Sequence, residues 1–175
     1  MMKYNLKEFD LIKNSFISMK NNTPLLYSKT IIYVLNEYKE IFSSAPVSDY
    51  GLLNYKNLDP NCYPIEQASI SEERVKLLVN RLVSIKFQDI DTFAMFLRSD
   101  IEHLFYFELR DYICPNCGSE GGGEVLLTRY EGYSPLSFLC LSCSYSRFLK
   151  GGKPEDYVTF VPLTTEELKE HGYLQ

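Results

Sequence analysis

Two cysteine pairs stand out as residues able to do chemistry together: Cys114-Pro-Asn-Cys117 and Cys140-Leu-Ser-Cys143, with 22 residues between them. Two thiolates two residues apart can reach one cation across a single tight turn, so two such turns supply a tetrahedral four-sulfur shell. Gly118 follows the first pair, where a knuckle needs a residue tolerant of positive φ, and Ser142 and Ser144 place small side chains around the second. The intervals favour one zinc ion over four unrelated thiols or two disulfides. A shell closed by four protein ligands leaves no position for water or substrate, so the expected zinc is structural.

Little else in the chain offers a reactive group. The two histidines, His103 and His171, lie outside any metal or nucleophile motif; Asp100, Glu102 and His103 lie together on one predicted helix, where residues one apart face different directions. Cys62 is the one thiol outside the two pairs, with no base or cation placed beside it. Gly118 and Gly121–Gly123 are not followed by the Lys-Ser/Thr of a phosphate loop. No catalytic residue is assigned; an activity would have to rest on His103 or Cys62.

The elements that must position these residues divide the chain in two. Residues 4–19, 28–43, 71–86 and 91–107 place apolar side chains at three-to-four spacing, which predicts four helices. Glu72 and Glu73 sit in the first turn of the third, and Asp91 is the expected N-cap of the fourth. Between the second and third, residues 43–70 carry three prolines and several tyrosines and leucines, expected as a long loop draped over the helices. After Tyr112 the pattern becomes strands at Gly123–Tyr130, Ser137–Cys140 and Ser144–Leu149, stopping at Gly151-Gly152. Val158, Phe160 and Val161 suggest an edge strand, and Thr164-Thr-Glu-Glu167 is a capping box opening a short acidic helix, Glu166–His171.

Knuckle, two strands, knuckle and strand is the layout of a zinc ribbon, and residues 112–150 resemble that superfamily, whose members occur in polymerase subunits, transcription factors, ribosomal proteins and adaptors. The resemblance implies a metal site without implying a task. The expected fold is α+β: a helical region over 1–111 packed with a three-stranded ribbon over 112–150, then an acidic tail over 151–175.

Charge bounds the partner. The chain carries −5 overall: −2 over residues 1–111, zero over 112–150 and −3 over 151–175. Nucleic-acid affinity depends on an excess of Lys and Arg, which no segment has. A protein partner, basic in character, is therefore expected, with Glu166, Glu167 and Glu170 steering onto it. An inhibitor or immunity-type protein covering a toxin nuclease, or a regulatory adaptor, would fit. The alternative is a nucleic-acid-associated ribbon using Arg129, Arg147 and Lys150 with Tyr130 and Tyr145. No apolar run reaches membrane-spanning length and no small-molecule substrate is indicated. Reduced thiols suit the cytoplasm, and the weight of Lys, Asn, Ile, Tyr and Phe, whose codons are AT-rich, suggests a microbial source.

Overall fold

The computed structural model describes residues 6–67, 70–118, 125–155 and 158–175. The expected helix start at residues 4–5, the Gly121–Gly123 patch, and Glu120, Glu124 and Asp156 lie outside them. The fold is α+β, in two compact units. One runs to residue 61 and from Ile65 to Leu104; the other comprises Cys62–Pro64 and Phe105–Gln175. No helix among the described residues is long and apolar enough to cross a membrane.

The first unit is helical. In α1 (Leu6–Ile17), Phe9, Ile12 and Phe16 form the buried stripe that their spacing predicts. Helix α2 (Pro24–Glu37) starts four residues before the expected position. Thr23 caps it, its hydroxyl accepting from the Leu26 N–H, and Pro24 occupies the first helical position, where a missing N–H costs nothing. Tyr38 breaks the helical geometry, so the last turn becomes a separate α3 (Lys39–Phe42). Ser71 caps α4 (Glu72–Ser84) by accepting from the Arg74 N–H. Helix α5 (Ile90–Phe105) follows a 3₁₀ turn at Phe87–Asp89, so Asp91 stands inside the first turn instead of capping it.

The 43–67 stretch is more ordered than a plain loop. It folds as four short 3₁₀ turns whose Val47, Leu52, Tyr55 and Ile65 are buried. Arg98 of α5 holds it: the guanidinium lies 4.6 Å from the Tyr55 ring centroid, donates to the Tyr50 carbonyl, and pairs with Glu102 at 2.7 Å. Gly51 turns the chain between two of the turns at φ +60°, and a Cβ there would crowd Asn54.

The second unit is built on an antiparallel sheet. Strands β1 (Phe107–Glu108), β2 (Val125–Tyr130), β3 (Leu136–Cys140) and β4 (Ser146–Phe148) lie in that order, and β5 (Phe160–Val161) also pairs with β2. The first half of β2 pairs with β1 and the second half with β5, while β3 runs along its other edge. This central place explains why β2 is buried at nearly every position where a one-faced strand would alternate. The expected helix over 91–107 ends at Phe105 because Phe107 and Glu108 pair with Leu127 and Leu126. Two buried hydroxyls tie the sheet: Ser137 donates to the Thr128 carbonyl and Thr128 to that of Val161. Helix α6 (Thr165–Glu170) opens on the expected capping box, and its Leu168 buries with Leu127 and Leu163.

Candidate metal centre

The first cysteine pair sits on the turn between β1 and β2. The Gly118 N–H donates to the Cys114 carbonyl at 2.9 Å, closing the turn, and Gly118 takes φ +73°. A Cβ at Gly118 would meet nothing, so its glycine is required by backbone conformation, not by space. The second pair repeats the arrangement at the end of β3. The Cys140 N–H donates to the Tyr145 carbonyl, and Ser144, one residue after Cys143, takes φ 56°. Each knuckle thus turns on a positive-φ residue directly after its second cysteine.

These turns bring the four sulfurs together. Cys114 Sγ lies 3.7 Å from Cys143 Sγ, Cys117 Sγ lies 3.7 Å from Cys140 Sγ, and all four fall within 4.8 Å of one another. Disulfide sulfurs would be about 2 Å apart, so neither 3.7 Å contact is a disulfide. A tetrahedral thiolate shell with metal–sulfur bonds of ~2.3 Å has sulfur–sulfur edges of about 3.8 Å, so these two 3.7 Å edges fit such a shell. Both of these edges run between knuckles, joining the first cysteine of each pair to the second of the other, and Cys140 also hydrogen-bonds Cys114 and Cys143.

Burial sets the chemistry. Cys114 and Cys140 are buried beside Val125 and Phe138, with Tyr112 and Tyr145 packed against them, while Cys117 is exposed. The Tyr112 and Phe138 ring centroids are 4.8 Å apart. Burial is the main influence pushing the Cys140 thiol up to about 12, and side-chain hydrogen bonds with Cys143, Cys117 and Cys114 raise it further. A thiolate is costly there unless a cation accompanies it, and a divalent ion held by four sulfurs supplies that charge. These four cysteines can hold a metal ion.

The remaining site expectations land in varied places. Tyr130 is 4% exposed, donates to the Ser146 hydroxyl, and is ringed by Tyr133, Phe148 and Phe160, so its faces are spent on the core. Arg129 pairs with Glu167 at 2.8 Å. Arg147 lies over the Tyr145 ring, and Arg147 and Lys150 are exposed. Glu166 and Glu170 face solvent, whereas Glu167 accepts from both the Thr164 N–H and hydroxyl within the capping box. Burial acts to raise Glu167, but these hydrogen bonds and Arg129 outweigh it and hold its carboxyl below the usual range. His103 is half-buried with Nδ1 2.7 Å from the Ser99 carbonyl, and Cys62 is exposed, apart from the sulfur cluster.

A buried polar cluster in the helical unit escaped the sequence reading. Asp100 of α5, 2% exposed, accepts from Tyr27 Oη and from Arg81 Nη2, each at 2.5 Å. Arg81 also lies 4.1 Å from the Phe96 ring centroid. The signal was present: Asp100 follows Phe93 and Leu97 at the spacing of the buried stripe, and a carboxylate on such a stripe needs a partner. Comparison of the chain with family models, with curated proteins and with solved structures gives no match.

Proposed function

We propose that this protein is a non-catalytic zinc-binding protein that acts by holding a protein partner. The observation that carries the reading is the sulfur cluster, in which four thiols converge with the spacing of a closed tetrahedral shell. Zinc in such a shell has no open position, so it would brace the two knuckles and offer no reaction centre. On this reading β2, β3 and β4 with their knuckles form a zinc ribbon, extended by β1 and β5. Thiols kept reduced for the metal fit the cytoplasm.

The partner class follows from charge. Glu166 and Glu170 are exposed on α6 while Glu167 is committed to its cap, so Glu166 and Glu170 would steer a basic partner. An inhibitor or immunity-type protein covering a basic enzyme such as a toxin nuclease, or a regulatory adaptor, acts in this way. The nucleic-acid alternative draws less support. Tyr130 is buried and Arg129 is paired, leaving Arg147 and Lys150 with Tyr145 as its footprint.

Two measurements test the reading. Metal analysis of the purified protein should find one zinc per chain; none, or a metal that exchanges without loss of structure, would remove the brace. A tagged pull-down from the native cell, split and treated with or without nuclease, should yield one stoichiometric protein in both halves. Recovery that collapses with nuclease would replace the protein partner with nucleic acid.

A further inference from the structure

Helices α1 and α2 follow one another across a short connection and pack together. They flank a groove of about 540 Å³ that is open along one side. Its floor and rim carry Met19, Leu26 and the half-exposed Tyr33 ring. Leu11, one turn before Ser15 on the same face of α1, is 43% exposed and lengthens the apolar surface.

The groove's polar groups are strongly one-sided. Ser15, Ser18 and Thr30 donate their hydroxyl hydrogens to carbonyls of their own helices, at Leu11, Ser15 and Leu26. Ser18 and Thr30 thereby turn oxygen lone pairs outward, while Ser15 is also hydrogen-bonded to the Tyr38 side chain. The ammonium groups are the strong donors in the groove: Lys20 and Lys29, both exposed, and neither paired with a carboxylate among the described residues.

We infer that this groove seats an amphipathic helix of a partner protein, its apolar stripe in the trough and its carboxylates on Lys20 and Lys29. The shape favours a helix. The lining runs from Ser15 to Lys20 and from Leu26 to Tyr33, about 10 Å of helix along α2, which matches two turns of a third helix bearing residues at i, i+3, i+4 and i+7. A small molecule would leave much of its surface in water here. Charge selects acidic flanks, because the free donors are cationic and like charges would be repelled. The inference concerns the helical unit alone and stands apart from the sulfur cluster and from α6.

The test uses the full chain with zinc and two synthetic amphipathic helices of about 14 residues. Both carry the same leucine stripe; one has glutamates at its flanks and the other has lysines. Amide chemical shifts should move along α1 and α2 with the glutamate peptide, which should bind about tenfold tighter than the lysine peptide, as two exposed ion pairs against two repulsions imply. In the K20E/K29E double variant, whose side chains touch no core, that preference should reverse. Equal binding of both peptides, shifts mapping elsewhere, or an unchanged preference in the double variant would overturn the inference. So would concentration-dependent shifts on α1 and α2 without peptide, which would place a second copy in the groove. Shifts there on adding anionic lipid vesicles but neither peptide would assign the face to a membrane surface and overturn it equally.

Discussion

Replacing Cys117 or Cys140 with serine breaks the sulfur shell from two different sides, and comparing them isolates the metal. Cys140 is buried, so its serine also leaves a hydroxyl in an apolar place, at roughly 1–3 kcal/mol. Cys117 is exposed, so its serine carries almost no such penalty. The core beneath the cluster is small: besides the two cysteines, Val125 and Phe138 are its fully buried members. Burying those two side chains contributes about 3–6 kcal/mol together, and that figure is an upper bound. Ligation of a structural zinc supplies on the order of 10 kcal/mol. The metal term exceeds the local burial term, so either serine should cost most of it. Zinc content should fall far below one per chain in both variants. Amide resonances of residues 107–118 and 136–149 should collapse, while those of α1, α2, α4 and α5 stay in place. Chelation of the wild-type protein should reproduce the pattern. A C117S protein that keeps stoichiometric zinc and the wild-type melting temperature would refute the reasoning, because its exposed position offers no other route to stability.

Other outcomes follow from the hydrogen-bonded and charged groups. Glu167→Gln should lower stability by about 1 kcal/mol through loss of the cap and the Arg129 pair. Because Glu167 is held below the usual carboxylate range, its contribution is present at neutral pH and is lost as pH falls through that lowered value. Melting temperatures of wild type and E167Q should therefore converge in acid; a constant gap would show the ionised form is not what matters. Asp100 carries the opposite sign: burial, its largest influence, raises it against the lowering by Tyr27 and Arg81. Its contribution favours folding in acid and declines as pH rises through the raised value, so Asp100→Asn should flatten that slope in urea unfolding followed by tyrosine fluorescence. Tyr27→Phe should cost about 1 kcal/mol by removing one donor to Asp100, and no loss in urea midpoint would argue against that hydrogen bond. Arg98→Ala should expose the 43–67 segment to limited proteolysis, because its Tyr55, Tyr50 and Glu102 contacts go together; an unchanged cleavage pattern would show that burial of Leu52 and Tyr55 suffices.

The parts of the fold legible in sequence were those with local signals. The stripes of α1, α4 and α5 were visible because each repeats over three or more turns, and the capping box at Thr164 because its partner is three residues away. The clustering of Cys114, Cys117, Cys140 and Cys143 was legible from spacing alone. The unequal burial of the four, with Cys114 and Cys140 buried and Cys117 exposed, was not, since spacing is silent on which sulfurs the core covers. Helix α2 opens before the range 28–43 that apolar spacing predicts, because its start is signalled by an N-cap threonine before a proline and not by an apolar period. Strand β1 was hidden because two residues carry no periodicity and continue the helical stripe before them. The Tyr27–Asp100 hydrogen bond joins residues 73 apart, so local pattern could flag the carboxylate but not find its donor.

The three-residue visit of Cys62–Pro64 to the sheet-bearing unit has a consequence for modularity. Tyr63 places its ring 5.3 Å from that of Phe105, edge to face, and Pro64 beside it is buried. The chain therefore enters the cysteine-bearing unit, leaves it, and returns about forty residues later at Phe105. A gene fragment beginning at residue 105 would omit that strap and bare an aromatic ring that is otherwise covered. No single cut yields both halves intact. Recombination could move this unit between proteins whole only by carrying the coding sequence of residues 62–64 with it.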